Sequence, residues 1–492
     1  MSDFCPDRKE FIKLAKKGNV IPVYKEILAD FDTPLSAFLK IDEGNFSYLL
    51  ESVEGGEHMA RYSFLGSAPS LVIESKGRNI TVKRGEDIDA YTVSDPISEI
   101  KKIMEGFRFV SVRGLPRFCG GLVGYLGYDV VRFIEDIPDE NPEDFDMPDM
   151  QLVLTDTILI FDHVDHRIKV VSNASTGADP GKDHDEACAK IDRIIEKLRG
   201  IEIEPREIKA EAVMAETESN FTKKDFCKMV EKAKEYIRSG EVIQIVVSQR
   251  FKRETASDPF AIYRALRSIN PSPYMYYLKF GEYRIIGSSP EILVRCEDGL
   301  VEVRPIAGTR VRGADEEEDR RLERELLSDE KEKAEHIMLV DLGRNDIGRV
   351  CEYSSVQPRE LMRIERYSHV MHIVSDVVGR LRKDKDIYDL IRATFPAGTV
   401  TGAPKVRAME LIDELENKRR GPYAGCVGYI SFSGNIDLCI TIRTIVMNAD
   451  IAYIQAGAGI VLDSVPEKEY QETVNKAKAL IKAIEFSEKG LG

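Results

Sequence analysis

The chain has 492 residues, 32% of them charged and 43% hydrophobic, with a formal net charge of −15. That balance suits a globular protein of about two or three domains and excludes a disordered or collagen-like chain. An acidic chain lacks the positive field that sequence-independent nucleic-acid binding needs. No apolar run approaches the roughly 20 residues of a membrane helix, so neither nucleic acid nor a membrane is an expected partner.

Eight cysteines are scattered from Cys5 to Cys439 without CxxC spacing. This argues against a disulfide framework or a zinc site and for a reducing compartment. The N-terminus, MSDFCPDRKEFIKLAKK, has no continuous apolar core and is no signal peptide, so the expected location is cytoplasmic. Tryptophan is absent from the sequence.

Two helical patterns occupy residues 8–40, the second near Pro34–Lys40 behind Asp32-Thr33-Pro34. Phe46–Ser52 alternates like a strand, and short strands are expected at Arg61–Leu65, Ser70–Glu74 and Ile80–Lys83. Phe118–Tyr128 (FCGGLVGYLGY) holds GxxGxxG but no GxGxxG, which predicts a packed strand and not a dinucleotide fingerprint. Leu152–Phe161 and Arg167–Ser172 predict a hairpin through HVDH. Its His163 and His166 have no further ligand nearby in sequence and read as solvated. After a helix at Asp185–Leu198, the charged segment Gly200–Ser219 is the expected linker between domains at 1–215 and 220–492.

From Thr222 the pattern is denser. A helix over Thr222–Ser239 starts at an Asn220/Thr222 cap signal and stops at Gly240. Strand Val242–Phe251, helix Pro259–Ile269 and hairpin-spaced strands between Tyr274 and Val303 follow. A long charged helix is expected from about Glu316 to Asp341, with a break near Ser328. Strands at Val370–Val378, Gly425–Phe432 and Leu438–Asn448 alternate with helices at Ile387–Ala393 and Lys405–Leu415. Consecutive hairpin-spaced strands with inserted helices predict an α+β fold and not a parallel doubly wound sheet.

The chemistry concentrates in three stretches. Ile454–Val461 is strand-like, with Gly457 and Gly459 leaving one side bare for close approach by a ligand. The helix after Asp463, Ser464 and Pro466 carries Glu469, Glu472 and Lys476 on one face. A second helix pattern, SDEKEKAEHIMLVDLGRND, places Glu332 and Glu335 on one face just before His336. Facing each other, two such helices offer hard oxygen donors for Mg²⁺. Ordinary exposed helices with charge pairs are the bland alternative. PAGTVTGAPK (396–405) lacks the order of a P-loop, but its backbone and hydroxyl donors would suit a carboxylate.

Taken together, the segments resemble the chorismate-utilising enzymes, and among them most closely the large subunits of anthranilate synthases. The resemblance is carried by GEVIQIVVSQR (240–250), SSPEILVR (288–295), RPIAGTRVRG (304–313), EKAEHIMLVDLGRND (332–346), SHVMHIVS (368–375), FPAGTVTGAPK (395–405) and GPYAGCVGY (421–429). LLESVEGGEHMARYSFLG (49–66) carries it more thinly.

The resemblance implies an antiparallel β-sandwich flanked by helices, with a smaller N-terminal α/β regulatory part. It implies that Glu335 and Glu472 bind Mg²⁺, with Glu332 and Glu469 completing the shell directly or through water. The metal would hold the ring carboxylate of chorismate, helped by Gly457, Gly459 and Lys476. Arg443 and Tyr423 would hold the enolpyruvyl carboxylate, a task suited to the planar guanidinium fork. Thr399 lies in the family's active-site loop, Glu291 resembles the general acid, and His372 resembles the histidine of the elimination step. The ordinary alternatives are a structural role for His372 and a surface ion pair for Arg443.

Two positions discriminate within the family. Gln244, counted with the catalytic residues, stands where water-adding members carry a lysine base. Ala307 of PIAGT stands where the para-aminobenzoate branch carries a lysine nucleophile. What is left is the anthranilate branch, in which ammonia replaces the ring hydroxyl and pyruvate then leaves. Glu51 and Ser52 of LLES, with Asn270, Pro273, Met275, Val427 and Tyr429, resemble the tryptophan feedback site of that branch. No G-x-C-x-G glutaminase motif surrounds any cysteine, so a separate glutamine amidotransferase subunit, in a heterotetramer, is expected to supply ammonia. The absence of tryptophan would let a tryptophan-starved cell still translate the chain. A sister enzyme of the aminodeoxychorismate synthase type and a catalytically silent tryptophan-binding homologue remain as alternatives.

Overall fold

The computed structural model describes residues 4–53, 61–144, 146–200, 216–367 and 370–490. Two 12-stranded sheets built of antiparallel pairs lie face to face, and helices cover both outer faces. This is the expected α+β sandwich. Strand periodicity explains the layers. Along Tyr274–Phe280, Tyr276 and Leu278 enter the layer between the sheets while Tyr277 joins the cluster under the helices. Along Met150–Thr155, Val153 faces the other sheet while Leu152 and Leu154 face outward to helices. Alternate side chains point to opposite faces, and because both faces are covered the strands read as unbroken apolar runs. Each fully buried large side chain contributes about 1.5–3 kcal/mol.

Helices Pro34–Ile41, Pro180–Gly200, Pro259–Ile269 and Pro466–Glu488 pack on the first sheet. Pro96–Glu105, Glu330–Gly348 and Ile387–Thr394 pack on the second. The expected long charged helix is two, Glu316–Ser328 and Glu330–Gly348, divided at Asp329, whose carboxylate accepts from the Lys331 and Glu332 amides and caps the second. A strand at Val20–Leu28, between the two expected N-terminal helices, pairs with Arg167–Ser175.

Two stretches expected as single strands are each divided between the sheets. Leu152–Phe161 becomes Met150–Thr155 in the second sheet and Thr157–Asp162 in the first. Leu438–Asn448 becomes Ile436–Ile440 in the second and Thr444–Asn448 in the first. Tyr283–Ser289 and Ile292–Glu297 are split likewise. An apolar run buried on both faces gives no local sign of the bend that sends it to the other sheet.

Both sheets run without a break between the two expected domains. Phe46–Glu51 pairs with Tyr274–Phe280 in the first sheet, and Gly121–Leu126 pairs with Cys426–Ser431 in the second. Residues 201–215, the core of the expected linker, lie outside the described residues, as do 54–60, 368 and 369 of the quoted motifs. Among the described residues no helix is long and apolar enough to cross a membrane, and all eight cysteines are free thiols.

Candidate active site

Two of the sheet-to-sheet crossings run side by side. The Ile440 amide donates to the Glu291 carbonyl at 3.0 Å, and the Ser288 amide donates to the Arg443 carbonyl at 3.1 Å. Glu291 lies between Tyr283–Ser289 and Ile292–Glu297, and Arg443 immediately precedes Thr444–Asn448. Arg443 adopts φ +51°, a left-handed conformation that costs a non-glycine residue about 1–3 kcal/mol. Its guanidinium has no ion-pair or hydrogen-bond partner among the described residues. Burial pulls its pKa down, against the nearby Glu472 and Tyr423.

Burial likewise pushes the Glu291 carboxyl up to about 7, opposed by the Thr399 hydroxyl and the Lys476 charge. Thr399, on the short turn Gly398–Val400, lines the same recess as Glu291. Its hydroxyl is buried without a well-formed hydrogen bond. Lys405 of the same loop pairs with Asp346 at 2.6 Å, so its charge serves the fold and not a phosphate.

Strand Ile451–Ile460 forms the floor, paired with Gln244–Glu254 so that Gly457 faces Ser248 and Gly459 faces Val246. A Cβ on Gly457 would stand 2.6 Å from the Tyr423 hydroxyl, and one on Gly459 2.6 Å from Gln244 Nε2. At Gly457 the Val247 carbonyl, 3.0 Å from the same Cβ, adds a backbone obstacle, whereas at Gly459 a side chain would displace the Gln244 amide. Above the floor, helix Pro466–Glu488 buries Thr473, Ala477, Leu480, Ile484 and Ser487, a stripe at three- and four-residue spacing. That packing turns Glu472 and Lys476 toward the recess they share with Arg443. Lys476 donates to the Gly457 carbonyl at 2.9 Å and pairs with Glu472 at 2.6 Å.

The four carboxylates come from two helices. Glu335 accepts from Gln244 Nε2 at 3.2 Å. Its pKa is raised chiefly by burial and further by Glu332 and Glu472, with Gln244 opposing. Burial and Glu472 also raise Glu469, against Ser464, Lys331 and Lys476. Carboxylates that raise one another's pKa values suit a hard divalent cation, so the donor chemistry fits Mg²⁺. The set is not drawn together, however: among the described residues no three His, Cys, Asp or Glu side chains form a metal-holding group.

His372 Nδ1 lies 3.3 Å from the Gly308 carbonyl, which can only accept, and 3.0 Å from Thr309 Oγ1. Nδ1 therefore carries the proton and Nε2 keeps its lone pair. Burial, reinforced by Arg443, lowers its pKa. His336, beside Glu335, is fully buried against Ser375 Oγ at 2.6 Å and pushed down to about 4, a neutral packing residue. His163 contacts Ser63 Oγ at 2.8 Å, which removes it as a ligand candidate.

A separate cavity of about 490 Å³ opens between the sheets. Glu51, Ser52, Pro273, Met275, Val427 and Tyr429 line it. Asn270 does not; it donates to Ser288 Oγ at 3.0 Å behind the wall. The Ser52 and Tyr429 hydroxyls are buried there without partners. Glu51 is already engaged by Tyr263 at 2.6 Å and Arg267 at 3.1 Å. Arg295 and Asp437, paired at 3.1 Å, also line the cavity and were not singled out in the sequence; SSPEILVR contained the only hint.

Another residue without a sequence signal is Arg420. Fully buried, it pairs with Glu416 at 2.6 Å and donates to Val400 at 2.7 Å and Val246 at 2.8 Å. Its guanidinium also lies 5.5 Å from the Tyr423 ring. It thus ties the 396–405 loop, the floor strands and Tyr423 together.

The family model described as chorismate binding enzyme matches residues 47–482, and the chain belongs to that family. Within it, the chain is similar over nearly its whole length to proteins called anthranilate synthase component 1. That of Aquifex aeolicus is 54% identical over 98% of both chains. That of Acetivibrio thermocellus is 51% identical over 98% of this chain and 99% of its own. The crystal structure of anthranilate synthase component I from Streptococcus pneumoniae superposes with a TM-score of 0.78 at 38% identity, covering 92% of this chain and 98% of that one.

Proposed function

We propose that the chain is the chorismate-converting subunit of an anthranilate synthase. It converts chorismate and ammonia to anthranilate and pyruvate, a lyase reaction, in the pathway to tryptophan. The observation that carries this reading is a half-buried guanidinium without a partner among the described residues, Arg443, which lines the recess of Glu472 and Lys476 one crossing away from a carboxyl group held up to about 7, Glu291. An unpaired guanidinium facing a recess suits an anionic ligand, and a carboxyl group titrating near neutrality suits a general acid.

Arg443 and the Tyr423 hydroxyl hold the enolpyruvyl carboxylate. Lys476 and the bare Gly457–Gly459 edge receive the ring carboxylate. Glu291 gives its proton to the departing ring hydroxyl, which leaves as water, and recovers a proton from the ammonium group formed on the ring. The buried Gln244 carbonyl oxygen, otherwise without a partner, accepts from the incoming ammonia. His372 Nε2 takes the ring proton as the C–O bond to the enolpyruvyl group breaks and the ring becomes aromatic. Bound among Glu332, Glu335, Glu469 and Glu472, Mg²⁺ supplies a template and charge sink for the ring carboxylate. The cavity lined by Ser52 and Tyr429 takes tryptophan as feedback inhibitor. A glutamine amidotransferase partner supplies ammonia, and free ammonia replaces it in vitro.

The test is to mix purified chain with chorismate, Mg²⁺ and an ammonium salt at alkaline pH and follow anthranilate fluorescence. Signal that is abolished by EDTA and reduced by tryptophan is the expected result. Another product from chorismate moves the chain to a sister branch, and no turnover with tryptophan still bound makes it a regulatory homologue.

A further inference from the structure

The candidate metal carboxylates differ in what already holds them. Glu335 accepts from Gln244 and Glu472 pairs with Lys476, both partners that also face the substrate side. Glu332 is different. It pairs at 3.2 Å with Arg310 of strand Ile306–Val311, a residue with no place in the substrate recesses. A Cβ on Gly308 would meet Glu332 Oε2 at 3.2 Å, so the carboxylate lies over that strand.

The same guanidinium pairs with Asp329 at 2.9 Å and with Glu325 at 3.3 Å. Asp329 uses its other oxygen to cap the helix that carries Glu332 and Glu335. Arg310 is therefore clamped across the N-terminus of that helix. A divalent cation that takes Glu332 as a ligand must first compete with a charge already there. Removing one partner of a partly exposed pair changes its free energy little, so the pair can yield on metal binding.

We infer that Arg310 is a positioning residue that draws Glu332 away from the other carboxylates, so that divalent metal binds by displacing a guanidinium. This rests on the proposed metal role of Glu332, Glu335, Glu469 and Glu472.

The experiment is Mg²⁺ titration of the full chain by calorimetry, without chorismate. Arg310→Gln binds about two- to fivefold more tightly than wild type, the range of a partly exposed pair. Arg310→Lys keeps the charge and lies between them. Glu325→Gln releases Arg310 toward Glu332 and weakens Mg²⁺ binding, an opposite change that does not depend on removing the arginine. Thermal unfolding of each variant accompanies the titrations. Unchanged or weaker binding in folded Arg310→Gln, or no weakening in Glu325→Gln, overturns the inference while leaving the metal reading intact. No binding by the wild type overturns the metal reading and the inference together.

Discussion

The Ser288 amide donates to the Arg443 carbonyl at 3.1 Å, and this bond joins two crossings between the sheets. Through it, a strained arginine and the carboxyl group three residues after Ser288 are placed by backbone contacts instead of by flexible loops. A site held in this way keeps its groups in position without help from substrate.

Arg443→Gly should raise stability and remove function. Glycine tolerates φ +51° without strain, a gain of about 1 kcal/mol. The lost carboxylate contact costs about 100-fold in kcat/KM for chorismate. Thermal melts and steady-state kinetics check both signs; a fall in both would mean that Arg443 serves the fold.

Glu291→Gln should lower kcat by about 10²–10⁴-fold with chorismate still bound. The Glu291 pKa is raised from an ordinary 4.5 to about 7, so the proton-donating form is present below about 7 and is lost as pH rises through it. At constant free ammonia, wild-type kcat/KM falls above that pH, while the residual rate of Glu291→Gln does not follow it. The linked stability has the same sign: it is fully present below 4.5 and lost as pH rises through about 7. Denaturant titration of wild type against Glu291→Gln reads that loss.

Gln244→Met keeps the size of the side chain but removes the buried acceptor. The KM for ammonia should rise about tenfold, the worth of one hydrogen bond. Because the variant also removes the Nε2 donor to Glu335, chorismate binding without ammonia is measured at saturating Mg²⁺, where it should change far less.

Ser52→Phe projects a ring into the 490 Å³ cavity and Met275→Thr alters its wall. Both should weaken inhibition by tryptophan and leave uninhibited turnover in place, since no residue proposed for the reaction lines that cavity. Inhibition curves at fixed chorismate decide it.

Arg420→Met should destabilise the fold by about 3–5 kcal/mol, because it leaves Glu416 a buried charge without its partner. Chemical denaturation measures this. A loss below 1 kcal/mol would show that the Ser248 amide and hydroxyl, both 2.8 Å from Glu416, hold the carboxylate without the arginine.

The sequence by itself determined most of the local order of this protein. Apolar, β-branched and aromatic runs between turn residues marked the strands, Thr222 and Pro466 marked helix starts, and i, i+3 spacing put Glu332 with Glu335 and Glu469 with Glu472. All of these act within a few residues, where the backbone repeat sets direction. Motifs distributed along the chain were enough to suggest the family. Only the tertiary structure decided where a run such as Leu438–Asn448 leaves one sheet for the other. Burial on both faces makes its residues look alike on either side of the bend, and the left-handed turn at Arg443 has no glycine to announce it. It also decided that Glu332 rests on Arg310 and that Arg420 braces the 396–405 loop. Those are contacts between segments far apart or on different elements, chosen by how the two sheets and their helices close on one another.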